Sequence, residues 1–141
     1  MKSVKIYLIV ASLLGLTVFT GCKKDKDKPS GNIHEAAAAR LVGTYKGTIK
    51  ASVGSQEYYN AIIIITKESG NKVKIAPKSG EAYSSFATKI IPIEGLQGVD
   101  DAVAQDPQGT LAYQAASKAL TYVTKQTSAN EMTYNFEGTK Q

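Results

Sequence analysis

Residues able to do chemistry are few in this chain. It holds one cysteine, Cys22, and one histidine, His34. A Ser-His-Asp relay would have to use that single imidazole, and a metal site would lack a second imidazole or a second thiolate. Asp100, Asp101 and Asp106 lie near one another, but without the ordered spacing of a calcium loop. They read as a solvated acidic loop. A glycine-rich phosphate loop, a nucleophile elbow and a histidine-rich metal motif are all missing from the sequence. The expectation is a non-enzymatic protein with no catalytic residue, no metal and no cofactor. What remains is the thiol of Cys22 and eight tyrosines, whose rings offer apolar area with a polar tip.

The setting of Cys22 gives that thiol a role. Lys2 and Lys5 precede an uncharged apolar run over 6–19. That run is shorter than the roughly 20 residues needed to cross a bilayer. A basic start, a short apolar stretch and small residues at Thr20 and Gly21 form the pattern of a cleaved secretion signal, residues 1–21. The segment Val18-Phe19-Thr20-Gly21-Cys22 resembles the lipobox of bacterial lipoproteins, with Phe19 where Leu, Val or Ile is usual. The resemblance implies a diacylglycerol thioether on Cys22, cleavage just before it, and an address in the cell envelope at the outer membrane. Two acyl chains meet the physical requirement for stable anchoring, since each buried methylene contributes about 0.8 kcal/mol and one chain is marginal.

Charge separates tether from domain. The net +5 of the 141 residues falls to +3 once Lys2 and Lys5 are removed. The run 23–28 carries four lysines against two aspartates, which leaves +1 from Pro29 onward. A nucleic-acid module concentrates its positive charge on the folded part, so nucleic acid is not an expected partner. Residues 23–32 contain no apolar side chain and have nothing to bury. Residues 33–40, IHEAAAAR, have helical composition, although two turns alone are marginal. The expected organisation is a signal at 1–21, a lipidated tether with a short helical turn at 22–40, and a domain at 41–141.

Within that domain the apolar residues recur every second position, the mark of strands with one buried face. Strands are expected over 41–49, 58–66, 72–76, 83–91 and 132–139, with a weaker one over 95–99. Residues 110–125 fit two patterns. Ala112, Ala115, Ala116, Ala119, Leu120 and Val123 follow helical spacing. Thr121, Tyr122, Val123 and Thr124 in a row favour a strand, and with it a hairpin turning through Ala115-Ala116-Ser117-Lys118. About eight strands in some 100 residues fit a sandwich or a closed barrel, and closure removes exposed edges.

Three segments carry a resemblance to small calycin-like β-barrel lipoproteins of Bacteroidetes-type bacteria. They are the post-signal Gly21-Cys22-Lys23-Lys24-Asp25, the opening Leu41-Val42-Gly43-Thr44-Tyr45-Lys46-Gly47, and the closing Thr133-Tyr134-Asn135-Phe136-Glu137-Gly138-Thr139-Lys140. The resemblance implies an all-β, antiparallel meander barrel of about eight strands, and no activity. Tyr45, Tyr59, Tyr113, Tyr122 and Tyr134 are expected to point inward and to offer the surface for a small apolar ligand or a glycan. The alternative is an envelope protein with a solid barrel that contacts a protein partner through its loops, among them the long segment 94–108.

Overall fold

The computed structural model describes residues 32–141. The expected signal, the acylation site Cys22 and the tether up to residue 31 lie outside the described residues. One helix, α1 (Ile33–Leu41), precedes nine strands: β1 (Gly43–Ala51), β2 (Glu57–Lys67), β3 (Lys72–Pro77), β4 (Lys89–Pro92), β5 (Glu94–Gly95), β6 (Ala102–Asp106), β7 (Gly109–Gln114), β8 (Ala119–Thr124) and β9 (Tyr134–Lys140). All neighbours pair antiparallel, in the order β4-β3-β2-β1-β9-β8-β7-β6-β5. The expected small antiparallel β-barrel is what the chain forms.

The two edges of that sheet, β4 and β5, are consecutive pieces of one stretch separated only by Ile93. Its first half pairs with β3 and its second half with β6, so residues 89–95 bring the sheet back on itself into a nearly closed, eight-stranded meander. Asn71 spans the junction. Its carbonyl accepts from the Ile93 N–H at 2.9 Å, and its Nδ2 donates to the Ile93 carbonyl at 2.9 Å. From the next turn, Gln108 Nε2 donates to the Ile90 carbonyl at 3.0 Å.

Residues 110–125 are the hairpin, β7 with β8. Residues 83–91 are not one strand: Tyr83 and Phe86 lie in turns, and pairing begins at Lys89. The segment 94–108, expected as loop with a weak strand at 95–99, instead contains β5, a turn and β6. Strand β6 turns only Ala102 and Ala104 inward, so its alternation is carried by the smallest apolar side chain.

The helix is part of the folded body and not merely the end of a tether. Ala37, Ala38 and Leu41 are fully buried. Asn32 caps the helix by accepting from the His34 N–H at 3.0 Å. At its other end, Tyr45 Oη donates to the Leu41 carbonyl at 2.8 Å and Lys140 Nζ to the Arg40 carbonyl at 2.6 Å. These bonds supply the partners that the last carbonyls of a helix lack. Gly95 lets the helix approach, because a Cβ there would stand 2.5 Å from the Ile33 carbonyl oxygen. Its N–H donates to His34 Nδ1 at 3.1 Å, which gives the single histidine a structural task.

Strands β1 and β9 meet through the pair Gly47 and Gly138. A Cβ on Gly47 would lie 2.0 Å from the Glu137 carbonyl oxygen, a position no side chain can occupy without separating the strands. Gly47→Val is therefore expected to lower the urea midpoint with an unchanged slope, at a cost of about 3 kcal/mol, the upper part of the range for overpacking.

Candidate functional site

The barrel interior is occupied by its own side chains. Tyr45, Tyr122, Tyr134, Phe136, Ile49, Ile63, Ile65, Ile75, Ile91 and Ile93 are each less than 2% exposed. Eight strands make a barrel only just wide enough for side chains or one small ligand, and here side chains take the space. The helix occupies one end. Strand β1 leaves the helix at Gly43 and reaches the opposite end, the mouth, at Ala51; β9 runs back from Tyr134 at the mouth to Lys140 beside the helix.

A cleft of about 420 Å³ lies at that mouth. Ala51 from the end of β1, Val53 from the β1–β2 turn, Tyr58 from β2, Phe86 from the 78–88 loop and Met132 from the 125–133 loop form its apolar wall. Gln56, Gln126, Asn130 and Glu131 add hydrogen-bonding groups. Val53 and Met132 are 86% and 47% exposed, unusual for large apolar side chains that share one depression. Behind them runs a line of rings. Tyr58 meets Tyr83 and Phe86 edge-on at 5.5 and 5.8 Å, Phe86 lies 5.6 Å from Tyr134, and Tyr134 stands edge-on to Tyr122 at 6.0 Å.

The five tyrosines expected to point inward are divided by the fold. Tyr45 and Tyr113 pack edge-on at 6.2 Å and belong to the filled interior. Tyr122 and Tyr134 are buried beneath the mouth. Tyr59 is 71% exposed, outside the barrel, and donates to Glu57 Oε2 at 2.6 Å. Its expected orientation is corrected by a β-bulge. Gly47 pairs with Ala61 but Ile49 with Tyr58, so two residues of β2, Tyr59 and Asn60, face one of β1. An extra residue reverses the alternation on its far side, and Tyr58 turns toward the core in place of Tyr59. Asn60 takes φ 58°, a conformation asparagine tolerates; that residue was the one local sign of the bulge. Phe86 and Tyr83 escape the sequence pattern as mouth residues because 83–91 reads as one continuous strand, whereas pairing begins only at Lys89.

Two phenols have an unusual environment. Tyr122 Oη and Tyr134 Oη are buried without a hydrogen-bond partner among the described residues. Burial raises both above the ordinary phenol value, and for Tyr122 the neighbouring Tyr134, Asp106 and Glu131 add to it. Both remain neutral donors. By contrast the Tyr45 hydroxyl is satisfied at the helix end. Beside the mouth, Lys89 is 1% exposed and donates to Thr127 Oγ1 at 2.8 Å and Glu131 Oε2 at 2.7 Å. Glu131 Oε2 also accepts from the Thr127 N–H at 2.8 Å. The hydrogen bond from Lys89, then that from the Thr127 backbone, pulls the Glu131 carboxyl down to about 2. This pair fastens the 125–133 loop to β4.

The acidic residues of the middle segment are engaged locally. Asp106 Oδ1 accepts from the Gln108 N–H at 2.9 Å, Asp101 Oδ1 from the Ala115 N–H at 2.8 Å, and Asp100 pairs with Arg40 at 3.3 Å. They shape turns and hold the helix. No family model, curated protein or solved structure matches this chain.

Two expectations follow from the buried polar groups. Tyr122→Phe and Tyr134→Phe remove hydroxyls without partners among the described residues and should leave stability unchanged or raise it by up to ~1 kcal/mol, whereas Tyr45→Phe should cost ~1 kcal/mol. Urea denaturation of the three variants separates the cases, and a large loss in Tyr134→Phe would reveal a partner bound inside. For Glu131, a carboxyl lowered in the folded state adds stability above its unfolded value, near 4.3, and loses it as pH falls toward 2. The urea midpoint should decline across that window more steeply for the native chain than for Glu131→Gln.

Proposed function

We propose that this chain is a non-enzymatic lipoprotein, held on the outer membrane through acylated Cys22. Its barrel displays a mouth cleft that binds a small ligand with one apolar side and several hydrogen-bonding groups, a class that includes glycans. The observation that carries this reading is the cleft itself. Val53, Tyr58, Phe86 and Met132 gather apolar surface in one depression, and three amide side chains stand beside it. Rings and methyl groups match the apolar face of such a ligand, while a few placed polar groups fix its orientation. The resemblance to calycin-like lipoproteins agrees with an eight-stranded meander. The basic leader, short apolar run and lipobox-like segment support the anchor. No helix among the described residues is long and apolar enough to cross a membrane, and the reading assigns attachment to the lipid.

The filled interior favours a second reading, a platform whose mouth loops hold another envelope protein. Both readings use the same loops, and the size of what is bound distinguishes them.

Native mass spectrometry of the protein after mild purification is expected to show a copurified small molecule. Tyr58→Ala and Phe86→Ala should each weaken its retention by roughly tenfold, about 1.4 kcal/mol. Equal retention by both variants would remove the cleft from consideration, and a protein in place of a small molecule would establish the platform. Separately, Cys22→Ser should abolish incorporation of labelled fatty acid.

A further inference from the structure

The end of the barrel opposite the cleft carries its own apolar surface. Ile33 of α1 and Leu96 and Val99 of the β5–β6 turn are 43%, 42% and 53% exposed. They line one open groove with Ala36 and Arg40. The chain outside the described residues ends at this groove, since Asn32 leads directly into Ile33.

We infer that this helix-bearing end rests on the lipid surface, with Ile33, Leu96 and Val99 in the boundary between headgroups and acyl chains, so that the mouth cleft faces away from the membrane. The inference rests on the proposed acylation of Cys22 and adds to it an orientation. Residues 23–32 number ten and span at most about 35 Å when fully extended. Strand β1, with nine residues, is itself about 30 Å long. The groove is thus held within about 35 Å of the acylated residue, close to the length of one strand, and tethering makes even a weak contact effectively intramolecular.

The contact is apolar in kind. Arg40 is paired with Asp100, Lys140 Nζ donates to the Arg40 carbonyl, and Lys67 Nζ donates to the carbonyls of Glu35 and Gly70. These cations are occupied by the fold, while Glu35 and Glu94 also lie at this end. The apolar side chains are what the interface would take in, to a depth of about 5–10 Å.

The test uses the full acylated chain in vesicles of phosphatidylcholine and phosphatidylethanolamine that contain a spin-labelled lipid. Leu96→Cys and Val99→Cys carry a polarity-sensitive thiol fluorophore, and Val53→Cys at the mouth serves as the reference. Emission at positions 96 and 99 should shift to the blue and be quenched by the spin-labelled lipid at least roughly threefold more than at position 53, as expected for groups in the headgroup boundary. Quenching equal to that at position 53 would overturn the orientation. So would a blue shift without lipid quenching, which would mean that protein covers the groove. The native chain provides the separate control. An acylated Cys22 takes up no thiol fluorophore, whereas a labelled Cys22 would overturn the anchor, and the orientation with it.

Discussion

A sheet of short strands exposes a row of unpaired N–H and C=O groups along each of its two edges, and those groups must be satisfied or protected. In this protein both edges belong to the same stretch of chain, residues 89–95. Its first part pairs with β3 and its second with β6, with fully buried Ile93 between them. The rest of the architecture depends on that joint. Once the stretch divides its pairing, the meander returns on itself and every inward side chain points to one axis. Asn71 supports the joint by supplying main-chain and side-chain partners to Ile93.

Closure at eight strands also sets what the interior can hold. Tyrosines and isoleucines fill the space, which moves candidate chemistry from the axis to the ends. The two ends are built differently. At one, a nine-residue helix is docked by buried alanines and its last carbonyls are capped by Tyr45 and Lys140. At the other, loops close over the core through Tyr83, Phe86 and the pair of buried Lys89 with half-buried Glu131. Loops held by a few side-chain contacts open more readily than a capped helix, and the recessed apolar surface with amides beside it lies among those loops.

The candidate site was less legible than the fold, for reasons that can be traced to particular residues. Four of the five tyrosines expected inside are inside, because alternation reports the inward face wherever a strand is regular. Tyr59 is outside because the bulge at Tyr59 and Asn60 shifts the phase by one residue, and a shift of that kind leaves composition unchanged. Phe86 and Tyr83 are buried from a loop, where no periodicity applies. Val53 and Met132 come together from turns 79 positions apart, so their adjacency exists only through the pairing of β1 with β9.

By itself the sequence determined the all-β class and the separation of a charged tether from a nearly neutral domain, and it narrowed residues 110–125 to a helix or a hairpin, which the strand pairing then decided. Each of these follows from local properties: side-chain alternation, β-branched runs, turn residues and the count of charges. Tertiary structure alone decided that β4 and β5 close the sheet, that the 33–41 segment becomes a docked helix, that the interior is filled, and which aromatic residues meet at the mouth. Those outcomes depend on distance in space and on the volume available inside eight strands, and neither quantity is carried by any short stretch of the chain.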